Sequence, residues 1–210
     1  MEDRTNPGLY LERLDDSADR AAHRATELLD HDGVVGVTWW ANVNCDRDDL
    51  PRVLDEFDYL VVAEVDATFA PPTGDGLHFV RTGRPGQGTL SAKPTIGLSL
   101  VLISPEDEAR TQELRDWADF VHIRHIAEAS VPGYTMITPY VNAVPGAHPR
   151  FMHFYEMDCD DPERAFKMMT PMVTARFGGR QHESWKQWAF GPSLRIMYVN
   201  SFRRIGEAIK

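Results

Sequence analysis

Cysteine is scarce in this chain. Only Cys45 and Cys159 occur among 210 residues, and neither lies in a metal or redox spacing, which argues against a disulfide scaffold, a zinc finger or a redox pair. Two reduced thiols in a cytoplasmic protein are the expectation. Basic residues are also short, with 22 Lys and Arg against 32 Asp and Glu and a formal net charge of -10. Phosphate backbones and anionic lipid surfaces are held by clustered cations. Arg203-Arg204 is too small a cluster for either, so no nucleic acid and no membrane is expected as a partner. No apolar run approaches the ~18–20 residues of a spanning helix. The N-terminal Met-Glu-Asp-Arg-Thr-Asn-Pro is polar and acidic, and it does not read as a secretory leader. Motifs are missing too: there is no Gly-x-Ser-x-Gly and no dinucleotide fingerprint. Gly83 to Gly88 is not followed by Lys-Ser/Thr or a helix, so it reads as a loop rather than a phosphate cradle. These absences point toward chemistry done by side chains, with no cofactor expected.

What the chain does contain is an internal echo, the first thing to seek before proposing a fold. Arg115 to Glu128 reads as a helix, Val131-Pro132-Gly133 as a turn and Tyr134 to Asn142 as a strand. Near the N-terminus, His23 lies in a helical run, Asp32-Gly33 makes the turn, and Val34 to Asn42 makes the strand. Counted from Gly33 and Gly133, Thr38 matches Thr138, Asn42 matches Asn142, and Trp40 stands opposite Tyr140. Tyr59 to Asp66 then echoes Phe151 to Asp158, with Glu64 and Glu156 in step.

Periodicity and turn signals fill in the remaining elements. Gly8 to Leu14 reads as a strand, and Asp16 to Asp30 as a helix capped by Asp15 or Asp16. Ala70 to Pro94 is dense in Pro and Gly, with a short strand at Leu77 to Arg81. Ile96 to Ser104 is a strand, after which Ser104 can cap a helix opened by Pro105. Pro162 to Thr174 reads as a helix and Arg195 to Phe202 as a last strand. The second half is thus β-α-β-β-α-β, a ferredoxin-like unit, and the first half is β-α-β-β-loop-β. The expected fold class is α+β: two ferredoxin-like repeats, 1–94 and 95–210, packed sheet to sheet as an α+β barrel.

Two histidines stand out. His122 lies at the edge of a buried helix face, where a ring can reach a pocket and titrate near neutrality. His153 shares one strand face with Tyr155 and Met157, while Met152, Phe154 and Glu156 take the other. The aromatics Trp40, Trp117, Tyr140, Tyr155, Trp185 and Trp188 suit a flat apolar ligand, and the irregular stretch from Trp185 to Phe190 could form a lid. His122 and His125 lack a third ligand at a recognisable spacing, so no metal is expected. His182 sits among Arg180, Gln181 and Glu183 and reads as part of a solvated loop, not a haem ligand. The recurrence of Glu64 and Glu156 favours a structural role for both.

The second half resembles the EthD-like branch of the dimeric α+β barrel superfamily. The likeness rests on Leu100-Val-Leu-Ile-Ser-Pro, Asp116-Trp117-Ala118-Asp119 followed by His122, Val131-Pro132-Gly133-Tyr134, and Pro149-Arg150-Phe151-Met-His-Phe-Tyr-Glu-Met-Asp158. Ala118 stands where family members usually carry Tyr. The resemblance implies a pocket between the sheet and its helices, lined by aromatics and one or two histidines. It also implies a homodimer, with a monomer the alternative because the repeats are fused. Its members span polyketide cyclases, dehydratases, isomerases, decarboxylases, haem-handling enzymes and cofactor-free monooxygenases, so fold alone does not fix the reaction.

The expectation is an enzyme of the dehydratase, cyclase or isomerase type, acting without a cofactor on a hydrophobic, oxygenated substrate. His122 and His153 would move the proton. Tyr140 and Asn142 would donate hydrogen bonds to an enolate oxygen. A cofactor-free monooxygenase and a non-catalytic binding or stress-response protein are the alternatives.

Overall fold

Leucines from distant parts of the chain alternate onto one surface, and that surface closes on itself. The computed structural model describes residues 8–50 and 52–210; the polar segment read at residues 1–7 lies outside them. In chain order the elements are β1 (Gly8–Leu14), α1 (Ala18–Leu29), β2 (Val34–Asn42), β3 (Tyr59–Val65), β4 (Leu77–Arg81), the short β5 (Gln87–Gly88) and β6 (Gly97–Pro105). A helical stretch follows as α2 (Thr111–Trp117), a π turn (Ala118–His122) and α3 (Ile123–Glu128). Then come β7 (Tyr134–Asn142), β8 (Phe151–Met157), α4 (Pro162–Arg176), α5 (Glu183–Ala189) and β9 (Leu194–Ile209).

The strands lie in the order β4-β1-β3-β2-β9-β6-β8-β7, and β7 pairs back onto β4 from Tyr140 to Asn142. Every one of these pairings is antiparallel. The result is an eight-stranded antiparallel barrel, which leaves no long edge unpaired. Leu9, Leu11, Leu60, Val62, Leu98, Leu100, Met152 and Phe154 fill its interior with Phe79 and Phe202. Burial of each such side chain contributes ~1.5–3 kcal/mol. The opposite strand faces are covered by helices, α1 over β2, β3 and part of β9, and α3 to α5 over strands of the second half.

Within the barrel the first half shows the order β4-β1-β3-β2 and the second half β9-β6-β8-β7. Local geometry recurs as well. A bulge between Val34 and Gly36 faces Glu64 and Val65, and one between Tyr134 and Met136 faces Glu156 and Met157. Asn42 Nδ2 donates to Phe57 O at 2.8 Å, and Asn142 Nδ2 donates to Pro149 O at 2.9 Å. Each Asn Oδ1 also accepts a backbone N–H two residues on. The matched asparagines therefore brace matched hairpins. No helix links β3 to β4; Phe69 from that connection fills the outer cluster instead.

Several boundaries differ from the sequence reading, each for a local reason. Ser17 caps α1, accepting from Arg20 N at 3.2 Å. Ser104 caps no helix, because its Oγ contacts His148 Nδ1 at 2.8 Å and accepts Arg150 N–H at 3.0 Å. Pro105 accordingly ends β6, and Asp107 caps a 3-10 turn that leads into α2. The stretch before the last strand is helical rather than irregular. That strand runs on to Ile209, because its second part pairs with β2. Gly206 allows this crossing, since a Cβ there would lie 2.0 Å from the Trp39 ring.

Leu100→Ala should destabilise the fold by ~2–5 kcal/mol in urea titrations, because it hollows the barrel. Leu90→Ala, at a side chain 72% exposed, should stay within about 0.5 kcal/mol.

Candidate functional site

The helix between β6 and β7 widens at Ala118–His122 into a π turn, a device common at functional sites. It sets Asp119 and His122 beside the outer face of β8, from which His153 and Tyr155 project. Together these groups border a cavity of about 260 Å³ between the sheet and the helices. Val101, Ile103 and Val199 form its sheet wall, and Phe166, Met169 and Thr170 of α4 close the far side. Trp117, Trp185 and Trp188 supply its aromatic surface, and Leu50 reaches it from the first half.

His153 is 2% exposed and Asp119 is 4% exposed. His153 Nε2 lies 2.8 Å from Asp119 Oδ1. The carboxylate can only accept there, so Nε2 carries the proton and Nδ1 keeps its lone pair when the ring is neutral. Asp119 Oδ2 accepts from Arg84 Nη1 at 3.0 Å, and Arg115 Nε lies 3.8 Å from the same oxygen. A buried carboxylate needs such partners, because desolvating a bare charge costs several kcal/mol.

His122 is held differently. Its Nδ1 donates to the Trp188 carbonyl at 3.0 Å, while Trp188 Nε1 donates to the His122 carbonyl at 3.1 Å. The two rings stack 5.1 Å apart at 4°. Trp117 Nε1 donates to Gln187 O at 2.7 Å. The last carbonyls of α5, which have no partner within their own helix, are thus satisfied by Trp117 and His122. Gly191 leaves room for this docking, since a Cβ there would meet the Trp117 ring at 2.5 Å.

Burial lowers the His122 pKa to about 4, with the Trp188 carbonyl opposing and His153 and His125 adding to the fall. His122 is therefore a neutral imidazole at pH 7, with Nε2 as an acceptor. Burial, reinforced by the charge of Asp119, raises the Tyr155 hydroxyl well above its ordinary range. The cavity thus offers the neutral His122 ring, the Asp119-bound ring of His153 and a protonated phenol in an apolar setting.

Of the residues expected from the sequence, His122, His153, Trp117, Tyr155, Trp185 and Trp188 converge on this cavity. Trp40, Tyr140 and Asn142 lie elsewhere. Trp40 belongs to the barrel interior and Tyr140 packs against it, while Asn142 braces its hairpin. His125 sits 3.2 Å from Glu128, and Glu156 accepts the Thr95 hydroxyl at 3.1 Å. His182 caps α5, accepting from Ser184 N. Among the described residues no three His, Cys, Asp or Glu side chains converge as a metal site. The sequence reading missed Asp119 as a partner of His153, although its spacing of three from His122 shares a helix face. Arg84, in a Pro- and Gly-rich loop, gave no signal.

No family model matches the chain, and no curated protein sequence does. Solved structures share its fold. An anthrone oxidase-like protein superposes with a TM-score of 0.59 at 11% identity, covering 98% of this chain and 94% of its own. A major regulator of staphylococcal pathogenesis gives 0.54 at 8% identity, with coverage of 95% and 99%. A Fusobacterium nucleatum protein assigned as a monooxygenase gives 0.50 at 8%, with coverage of 97% and 93%. These likenesses identify the fold as a ferredoxin-like α+β barrel.

Because the folded His122 titrates near 4 and an unfolded one near 6.5, the unfolded chain binds more protons between those values. The contribution is complete above pH 6.5 and is lost as pH falls to 4, by up to roughly 3 kcal/mol and less for a ring partly open to the cavity. Urea titrations at pH 7, 5.5 and 4.5 should show wild type losing more stability over that interval than His122→Gln. Equal losses would contradict the buried neutral state.

Proposed function

We propose that the chain is an enzyme that removes a proton from carbon beside a carbonyl in a flat, apolar, oxygenated molecule. The observation that carries this reading is the buried Asp119–His153 pair at the wall of an aromatic cavity. His153 Nδ1 is the base, and Asp119 stabilises the imidazolium as it forms, as the carboxylate does in hydrolase triads. His122 Nε2, too weak a base to compete, accepts a hydrogen bond from a substrate hydroxyl. The Tyr155 hydroxyl, kept protonated, donates to the developing enolate oxygen. Trp117, Trp185 and Trp188 hold the flat ligand. No step requires a group beyond these side chains.

The enolate can then lose hydroxide, attack a second carbonyl or take the proton back elsewhere, which are dehydration, cyclisation and isomerisation. A second reading follows the same proton removal by reaction of the carbanion with O2. The anthrone oxidase-like and monooxygenase neighbours favour it. For anthrone the balance is C14H10O + O2 → C14H8O2 + H2O, with the ring carbon oxidised and dioxygen reduced.

The recurring bulges, asparagine braces and strand orders support descent of the halves, 1–94 and 95–210, from one duplicated EthD-like unit. In this reading the pocket is better preserved in the second half. The thiols Cys45 and Cys159 are both free and suit a reducing cytoplasm. A homodimer formed through outer surfaces fits the family pattern.

Anthrone tests both routes. Without oxygen, wild type should speed deuterium exchange at its CH2 carbon. His153→Ala and Asp119→Asn should slow that exchange by ~10²–10⁴ while keeping wild-type circular dichroism. Oxygen uptake in air separates oxidation from exchange alone. Variants as fast as wild type would remove the base assignment, and binding without exchange would leave a carrier rather than an enzyme.

A further inference from the structure

We propose that Arg84 is a positioning residue for the Asp119–His153 pair, so that a loop of the first half completes the site of the second. The inference rests on the reading of that pair as the base. Arg84 lies between β4 and β5, in the segment that follows the helix-less part of the first half. Its side chain is largely covered and forks between two carboxylates of one helix: Nη1 to Asp119 Oδ2 at 3.0 Å and Nη2 to Asp116 Oδ1 at 2.6 Å. The guanidinium also lies over the Phe120 ring, 4.8 Å from its centre. Such a fork fixes direction as well as charge, which a lysine ammonium does not.

The geometry explains what the fork achieves. Asp119 has one oxygen on His153 and the other on Arg84, so its carboxylate plane is set from both ends. With Arg84 gone, the remaining Lys or Arg paired with Asp119 among the described residues is Arg115, 3.8 Å from Oδ2 and on the same helix as Asp119. The carboxylate would then be free to turn away from His153 Nε2. An orienting partner of this kind typically affects rate through geometry, where small misplacements cost much. The charged and titratable groups around the pair are Arg84, Arg115 and Asp116 on the helix side, and His122 and Tyr155 on the cavity side.

A purely structural latch is the rival account, and the surrounding contacts weigh against it. The loop is pinned on both sides without Arg84. Before it, β4 pairs with β7 from Phe79 to Arg81. After it, Gln87 and Gly88 pair with Ile137 and Met136, and Thr89 N donates to Thr135 O at 2.7 Å. Removing the guanidinium leaves all these backbone bonds in place.

The test needs no substrate. In full-length protein with ¹⁵N-labelled histidine, the Nε2–H proton of His153 should give a downfield signal, identified by its loss in Asp119→Asn. Arg84→Ala should move or broaden that signal and displace its pH titration, and Arg84→Lys should show a smaller displacement. Where Arg84→Ala proves too unstable, Arg84→Gln serves the same reading. Should anthrone be turned over, kcat should fall about ten-fold with KM within about two-fold, as for an orienting rather than a binding residue. A His153 signal and titration in the Ala or Gln variant identical to wild type would overturn the proposal, whatever happens to thermal stability. Because this readout is taken on the unliganded protein, an absence of turnover would refute the enzyme reading while leaving the positioning result intact.

Discussion

A period of two along Phe151–Met157 is the constraint on which the rest depends. It sends Met152 and Phe154 into the barrel and His153 and Tyr155 outward under the helices. Packing of the inner set fixes the register with β6 and β7. A slip of one residue would exchange the two sets, placing an imidazole in the hydrophobic centre and a phenylalanine at the cavity wall. The barrel packing and the cavity wall are thus written on alternate residues of one strand.

The helical side of the cavity is built on a second principle, the need of buried polar groups for partners. α5 is short, and its terminal carbonyls would be orphaned if it merely lay on the sheet. Trp117 and His122 donate to them, and Trp188 returns a bond to the π turn. The same contacts fix the His122 ring and determine which nitrogen faces away from the helix end. Aromatic residues that look like a ligand lining therefore also assemble the wall they belong to. This is why Trp185 and Trp188 are recognisable in the sequence while their helix is not.

Legibility followed the strength of local signals. The strands and α4 could be read, because alternation and helical spacing are strong over those stretches and turn residues bound them. His122 and His153 could be proposed from their faces together with the family resemblance. The misplacement of Tyr140 has a physical cause: it pairs with Met152, not with His153, and cross-strand partners share a face. Its side is thus fixed by a register no single strand displays. Trp40 is likewise opposite Leu60 and shares the barrel interior. Asn142 was matched correctly with Asn42, yet the match reflects a hairpin brace and not an oxyanion donor. The π turn was invisible because Ala118–His122 contains ordinary helix residues, and Arg84 because a long-range ion pair leaves no periodic trace.

One feature of the ladder reaches beyond the cavity. The sixteen residues of β9 hydrogen-bond first to β6 and then to β2, so this one strand seams the strands of the first half to those of the second. Without it the strands of the first half are not joined to β6. Melting should accordingly be a single cooperative event, and neither half should survive as an isolated fragment. A chain clipped before Ile205 would keep only the pairs of Phe202, Arg203 and Arg204 with β2 and would lose the rest of the seam.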